Sequence, residues 1–150
     1  MRAKVPPYFA IMNWLFWALL SACFAGVTAV LAKIGVEGVE SNLATAIRTS
    51  VVIVFTWVLA IPALRETGLA GISRRTWIFL AASGLATGLS WVCYFRALQS
   101  GPASRVAPVD KLSVVVAIAL SMIFLGERLS FRQSLGAVFV VIGAILLALK

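Results

Sequence analysis

Residues 94–127 read YFRALQSGPASRVAPVDKLSVVVAIALSMIFLGE, and this stretch decides how the rest of the chain is interpreted. It places charged residues and two prolines between two runs that are otherwise compatible with lipid; these charges are Arg96, Arg105, Asp110 and Lys111. A charged side chain near the centre of a bilayer costs about 2.5–3.5 kcal/mol on insertion scales. We therefore expect the charges to have a use, which is either to handle a solute or to hold helices together.

The composition is that of a membrane protein. Of the 150 residues, 62% are hydrophobic and 12% are charged, and the mean hydropathy is +1.05. Soluble domains contain about 45–50% apolar and about 25% charged residues. A soluble core of this size would not cover so much apolar surface, so the bilayer is the expected solvent.

The charged and reactive residues argue against several function classes. The net charge of +8 comes from Lys and Arg that punctuate apolar runs, which is typical of membrane-protein loops, so no nucleic-acid partner is expected. The chain has no histidine, and Cys23 and Cys93 lie inside apolar runs. We therefore expect no metal site and no cofactor. Neither a nucleophile–base pair nor a phosphate-binding glycine motif is visible, so an enzyme is not expected.

The apolar runs predict an all-α, polytopic membrane bundle, because about 17–25 apolar residues suffice to cross a bilayer as a helix. A basic N-terminal segment, residues 1–13, precedes a single domain, residues 14–150. Pro62 is taken to end the second helix. The fourth helix begins near Pro108, or it begins near Ala103 and is kinked at that proline. The five predicted transmembrane helices cover residues 14–33, 42–64, 76–98, 104–125 and 132–149.

Two pairs of glycines predict close helix packing. Gly84 and Gly88 form a small-xxx-small pattern in the third helix, and Gly136 and Gly143 lie nearly on one face of the fifth. Small residues at such spacings let the backbones of membrane helices approach one another.

Alternation of the helices gathers the embedded charges at one end of the bundle. Five spans place the N-terminus at one end, here called side A, and the C-terminus at the other, side B. Lys33, Arg48, Arg96, Asp110 and Lys111 all fall at side B. We therefore predict a polar vestibule that opens on side B and binds a polar or charged solute, with Arg48 and Arg96 reaching inward.

Aromatic and small polar residues extend this hypothetical substrate site. Ser113 begins a small, mildly polar stripe at spacing four, and Asp110 is a candidate protonatable switch. In the alternative interpretation, which stays open, the basic residues snorkel to head groups, Asp110 is their counter-ion, the aromatics anchor the interface and the serines pack helices. The predicted substrate-binding residues are Arg48, Trp91, Tyr94, Arg96, Arg105, Asp110, Lys111 and Ser113.

Orientation is predicted from the distribution of Lys and Arg. Seven of the thirteen lie at side A and six at side B. If the vestibule residues are discounted as embedded, side B retains little besides Lys150, so the N-terminus is predicted to be cytoplasmic. The nearly equal raw count is also the pattern of a chain that inserts in both orientations.

Four segments resemble one repeat of the EamA type, from the drug/metabolite transporter superfamily: YFRAL at 94–98, GPASRVAPVDKLS at 101–113, FLGERLS at 124–130 and GAVFVVIGAILLAL at 136–149. The resemblance implies a multipass inner-membrane protein that moves metabolites or drugs. Larger members carry two such repeats in opposite orientation, and transporter sites commonly lie between inverted repeats. One repeat alone is therefore expected to need a second copy, for which an antiparallel homodimer would serve, or a second small membrane subunit.

The leading prediction is a small transporter of a metabolite or drug-like solute, acting as a dimer in the lipid bilayer. Two alternatives stay open. The first is an accessory membrane subunit without transport of its own. The second is a small lipid-head-group flippase, since a cationic vestibule would suit a phosphate.

Overall fold

The computed structural model describes residues 7–149, with side-chain surroundings for residues 14–66 and 68–149. Within that range the chain is all-α. Five segments are long and apolar enough to cross a membrane, which confirms the predicted bundle. The helices are α1 (Pro7–Gly35), α2 (Ser41–Thr67), α3 (Arg74–Ser100), α4 (Ala103–Asp110), α5 (Ser113–Leu120) and α6 (Phe131–Ala148), with a π-helical turn at Ser121–Leu125 between α5 and α6.

Two helix ends differ from the predicted ones, both at prolines. Helix α1 begins at Pro7 rather than near residue 14, because proline is well suited to the first turn of a helix, where its missing N–H is not needed. Residues 1–6 of the predicted N-terminal segment lie outside the described residues. Helix α2 continues through Pro62 to Thr67, so the prediction that this proline ends the helix is wrong. Membrane helices tolerate an internal proline when neighbouring groups satisfy the freed carbonyl.

Local capping explains where the helices start. The Glu40 carboxylate accepts a hydrogen bond from the Leu43 N–H at 2.9 Å, and the Ser73 hydroxyl accepts one from the Thr76 N–H at 3.1 Å. At the start of α6, Ser130 and Gln133 form a reciprocal capping box. Such caps satisfy N–H groups that a helix cannot bond internally.

The fourth span is broken in two. It begins at Ala103 and contains Pro108, so the second of the two predicted alternatives is confirmed. Helix α4 ends at Asp110 and α5 starts at Ser113. Across the break the backbone bonds tighten to i→i+3, as in Lys111 N–H to Pro108 O at 3.1 Å and Leu112 N–H to Val109 O at 3.0 Å. The regular i→i+4 pattern therefore stops two residues after Pro108.

Side B is where the helices pack most tightly. Helix α3 contacts α1, α2 and α4, while α4 also contacts α1 and α6. Two hydrogen bonds join separate segments there, from Lys33 Nζ to the Leu98 carbonyl and from Gln99 Nε2 to the Val39 carbonyl, both at 2.7 Å. The buried cluster at this end consists of Ala32, Val36, Ala44, Phe95 and Leu98.

The four glycines predicted to pack helices meet no other helix within the part of the chain that the structure describes. A Cβ built on Gly84, Gly88, Gly136 or Gly143 would meet no atom within 4 Å, apart from the helix's own backbone. Close packing at these glycines therefore stays a prediction, and it now concerns a contact with another molecule rather than within the described chain.

Candidate functional site

A small polar cavity lies beside the break in the fourth span. It has a volume of about 180 Å³ and is bounded by α1, α2, α3 and the α4–α5 junction. We call it the polar cavity; its lining residues are Ala25, Thr28, Arg48, Ser90, Trp91, Tyr94, Asp110 and Lys111. Irregular backbone at membrane depth occurs where it is buried in protein or lines a wet cavity, and this junction does the latter.

Arg48 enters the polar cavity from α2. Its residue number places it about 10 Å along that helix, at about 1.5 Å per residue. The guanidinium carbon lies 4.1 Å from the ring centroid of Trp91 and 5.7 Å from that of Phe95. The two rings are four residues apart on α3 and therefore share one face of that helix. They hold the guanidinium through cation–π contacts, which are stronger in a desolvated place.

The charge of Arg48 has no acidic partner in the part of the chain whose side chains are described. The only ion pair there joins Lys111 Nζ to Asp110 Oδ2 at 3.3 Å. Among these residues the Arg48 guanidinium also makes no hydrogen bond to another protein group, while the side chain is half-buried. The polar cavity therefore contains one neutralised cation, Lys111, and one cation whose N–H groups are free to bind a ligand.

The helix break positions Asp110 and Lys111. Asp110 is the last residue of α4 and Lys111 is the first residue of the break that follows it, and both side chains line the polar cavity. The Asp110 side chain is 34% exposed and that of Lys111 is 59% exposed. The break in the fourth span therefore lies at the edge of the polar cavity.

Two apolar cavities adjoin the polar one. The first apolar cavity, about 370 Å³, shares Thr28 and Arg48 with it and is otherwise bounded by Leu31, Ala32, Gly35, Val39, Ala44, Ile47 and Phe95. The second apolar cavity, also about 370 Å³, shares Ser90, Tyr94 and Asp110 with it and includes Arg105. A polar centre with apolar extensions on both sides is the usual make-up of a small-molecule site.

Most of the predicted substrate-binding residues come together here. Five of them line the polar cavity, namely Arg48, Trp91, Tyr94, Asp110 and Lys111, and Arg105 lines the second apolar cavity. Of the charges predicted to gather at side B, Arg48, Asp110 and Lys111 line one cavity. Their binding of a solute stays a prediction.

Arg96 and Ser113 line none of these three cavities, and both are exposed. The expectation that Arg96 reaches inward beside Arg48 is therefore wrong. Arg96 instead acts on Glu40, whose pKa is lowered mainly by the N–H groups of Asn42 and Leu43 and to a smaller extent by this arginine. Lys33 also has a partner within the chain, because its ammonium group donates a hydrogen bond to the Leu98 carbonyl near the end of α3.

Sequence reasoning missed three lining residues of the polar cavity, Ala25, Thr28 and Ser90. A signal for Ser90 was available, since it precedes Tyr94 by four residues and so shares its helix face. Ala25 and Thr28 belong to an uncharged helix, and nothing in their spacing distinguishes them from packing residues.

The structure is a bundle of membrane-spanning helices, one of which is discontinuous, and a charged cavity lies at the discontinuity. Secondary transporters have these features. The chain belongs to the EamA-like transporter family, whose model matches residues 12–149. With its five spans, it is a multipass membrane protein.

The chain is similar to proteins of two sizes. An uncharacterized transporter in the cobO 3′ region of Sinorhizobium sp. is 50% identical over 136 residues, covering 91% of this chain and 96% of that protein. An uncharacterized protein of Methanocaldococcus jannaschii is 30% identical over 132 residues, covering 88% and 93% respectively. The uncharacterized transporter YxxF of Bacillus subtilis (strain 168) is 27% identical over 130 residues, covering 86% of this chain but 40% of that protein. No solved structure gives a significant match.

Proposed function

We propose that the chain is a secondary transporter of a small metabolite or drug-like solute, and that it holds the solute in the polar cavity. One observation carries this proposal: the half-buried Arg48 has no acidic partner among the residues whose side chains are described, and it faces a cavity at the break of a membrane span. An embedded charge is costly and is retained where it serves a purpose. The hydrogen bond of Lys33 gives that residue a structural purpose, whereas the free N–H groups of Arg48 suit a ligand.

The proposed working unit is a homodimer in the lipid bilayer. The relatives support this, because the match fills nearly all of the Sinorhizobium transporter but only 40% of the Bacillus one. Two copies of the shorter type would equal the longer in size. The surface of the third transmembrane helix also supports a homodimer. Leu85 and Leu89 are 73% and 70% exposed there, and they lie next to Gly84 and Gly88, which have no neighbouring atom where a Cβ would be.

The proposed location is the inner membrane, with the N-terminus in the cytoplasm. Side A carries exposed arginines, which are Arg65, Arg74, Arg75, Arg128 and Arg132. At side B, Lys33 is tied to a carbonyl and Arg48 is stacked on aromatic rings, so neither counts as a free loop charge. The remaining asymmetry favours side A as the cytoplasmic side. Reporters active inside and outside the cell, fused after Lys150, test this: an outside signal alone supports the proposal, and equal signals from both indicate an antiparallel pair instead.

The test of transport uses the purified chain in phosphatidylcholine vesicles. Flux of radiolabelled amino acids, carboxylates and amines is measured with and without a proton gradient. We expect saturable flux of at least one solute, its loss in Arg48→Gln, and its retention in Arg75→Gln. Arg75 is a matched control, because its guanidinium lies 5.8 Å from the ring of Phe79 but lines none of the three cavities.

The same experiment separates the competing functions. The chain would instead be an accessory subunit if no class of solute shows flux and a different membrane protein copurifies stably with it from cells. Movement of a fluorescent phospholipid between leaflets, without flux of soluble solutes, would replace it with a head-group flippase. Equal flux in the wild type and in Arg48→Gln would remove the polar cavity from the transport pathway.

A further inference from the structure

We infer that the polar cavity and the first apolar cavity together form a site for a small amphipathic organic anion, with the anionic group on Arg48 and the apolar part among Leu31, Ile47 and Phe95. This inference names the substrate class of the proposed transporter and rests on that function. It follows from the charge of the site, from the geometry of the guanidinium and from the adjacency of the two cavities.

The charge of the site selects an anion. The charged groups that line the polar cavity are Arg48, Lys111 and Asp110. Asp110 is within 3.3 Å of Lys111 and neutralises it, so one positive charge is left. A cation entering the cavity would meet Arg48 without an unpaired carboxylate to attract it, whereas an anion would complete the missing pair.

The aromatic rings cover the face of the Arg48 guanidinium and leave its N–H edge free to bind an anion. Trp91 contacts the guanidinium at 4.1 Å through its ring, and such stacking occupies the face of the planar group. The N–H donors point outward in that plane, where they suit the two oxygens of a carboxylate or the oxygens of a phosphate or sulfonate. The hydroxyls of Thr28, Ser90 and Tyr94 line the same cavity and are able to donate to the remaining oxygens.

The apolar part of the ligand has a defined place. Thr28 and Arg48 line both cavities, so a ligand bound to Arg48 lies next to the first apolar cavity. That cavity has a volume of about 370 Å³ and is open at the surface, since Leu31 and Ile47 are 63% and 56% exposed while Phe95 is buried. The class is therefore an anion joined to a short hydrocarbon or an aromatic ring, and a fully hydrated inorganic anion would leave the apolar half empty.

Such chemistry has two natural sources, a soluble organic anion and the anionic head group of a lipid. Both offer an oxyanion next to apolar atoms, and both are expected to need Arg48. The experiment therefore tests the shared chemistry first and includes an arm that distinguishes the sources.

Binding is measured by the emission of Trp91 in a variant in which the exposed Trp14, Trp17, Trp57 and Trp77 are replaced by Phe. The protein in phosphatidylcholine nanodiscs is titrated with hexanoate, hexanamide and hexylammonium. We expect a saturable change of emission with hexanoate alone. In this background Arg48→Gln should weaken hexanoate binding by at least about tenfold, because a hydrogen-bonded charge pair is lost. Arg48→Lys should weaken it less, and Arg75→Gln should leave it unchanged.

Should the single-tryptophan protein fail to fold, calorimetric titration of the unmodified chain and of Arg48→Gln with the same three probes replaces the fluorescence. Binding of hexanamide or hexylammonium as tight as that of hexanoate would overturn the inference, as would hexanoate binding that survives Arg48→Gln. Nanodiscs containing phosphatidylglycerol form the second arm. If this lipid gives a response that depends on Arg48 and hexanoate gives none, the anion site is supported and its ligand is a lipid head group.

These outcomes are distinguishable from failure of the transport proposal. If hexanoate binds in a manner that depends on Arg48 but no solute crosses the vesicle membrane, the anion site is supported and the transport function is contradicted. If an amine crosses the membrane independently of Arg48 and hexanoate does not bind, the transport function is supported and the anion site is contradicted.

Discussion

The two ends of the bundle are built differently. At side B, separate helices are joined by buried residues such as Phe95 and Leu98 and by the hydrogen bonds of Lys33 and Gln99. At side A, large residues such as Leu80 and Phe79 are more than half exposed, and the helix starts rely on local caps. The end that is packed within the chain is also the end that contains the polar cavity, whereas the apolar surface of side A is left exposed by the described residues. A site that must keep its geometry benefits from lying on the packed end.

The strongest test of this difference compares two leucines of α3. Leu98 is 0% exposed at side B, and Leu85 is 73% exposed. Leu98→Ala should lower the free energy of unfolding by about 2–5 kcal/mol, because it removes buried methyl groups and leaves a cavity. Leu85→Ala should change it by no more than about 0.5 kcal/mol. Thermal unfolding in detergent micelles, where no second copy is forced onto Leu85, measures both. Equal losses would mean that the two ends do not differ in packing.

The hydrogen bond of Lys33 gives the next largest effect. Lys33→Met retains the aliphatic stem but leaves the Leu98 carbonyl without its partner at 2.7 Å. An unsatisfied buried acceptor costs about 1–3 kcal/mol. Arg65→Met is the control, since Arg65 is an exposed cation in the last turn of α2 at side A and loses only its interaction with the helix dipole, typically about 0.3–1 kcal/mol. Unfolding by denaturant compares the two, and a smaller loss for Lys33→Met than for Arg65→Met would contradict a tertiary role for Lys33.

A local cap at side A should matter less. Ser130→Ala removes the hydroxyl that the Gln133 N–H binds, and such a cap is worth about 0.5–2 kcal/mol. Ser134→Ala removes a hydroxyl that bonds only within the same helix turn and should be close to neutral. Hydrogen exchange of the first turn of α6 should accelerate in Ser130→Ala while exchange near Leu98 stays unchanged. Faster exchange at side B as well would show that the two ends are coupled.

The fold was largely predictable from the sequence, because spans are set by the length of apolar runs. The number of spans and the gathering of charges at side B were both predictable for that reason. Pro62 was misread, since a proline signal alone does not tell whether neighbouring groups will donate a hydrogen bond to the unpaired carbonyl. The start of the fourth helix was left open between Ala103 and Pro108, because a proline is tolerated both in the first turn of a helix and at a kink within it.

The candidate site was predictable in membership but not in detail. Arg48 and Arg96 have the same charge and fall at the same end of the bundle, yet only Arg48 lines the polar cavity. Which of them turns inward depends on the rotation of each helix against its neighbours, and helical periodicity gives relative faces but not absolute ones. The stacking of Arg48 on Trp91 joins residues far apart in sequence, so spacing rules contain no signal for it.

The smallest expected effect concerns Glu40, which caps α2 at side B and is exposed. The N–H groups of Asn42 and Leu43 lower the pKa of this carboxyl from its ordinary value of 4.5, and the charge of Arg96 adds a smaller effect in the same direction. A carboxyl with a lowered pKa stabilises the fold above its ordinary pKa, and this contribution is lost as the pH falls through the lowered value. The unfolding temperature of the wild type should therefore exceed that of Glu40→Gln by a constant small margin near neutral pH, and the margin should shrink in acid. In an Arg96→Gln background most of the margin should remain, because the backbone N–H groups contribute more than the arginine does. A margin that grows as the pH falls would have the wrong sign for a cap of this kind, and one that vanishes with Arg96→Gln would mean that an ion pair rather than the helix start holds Glu40.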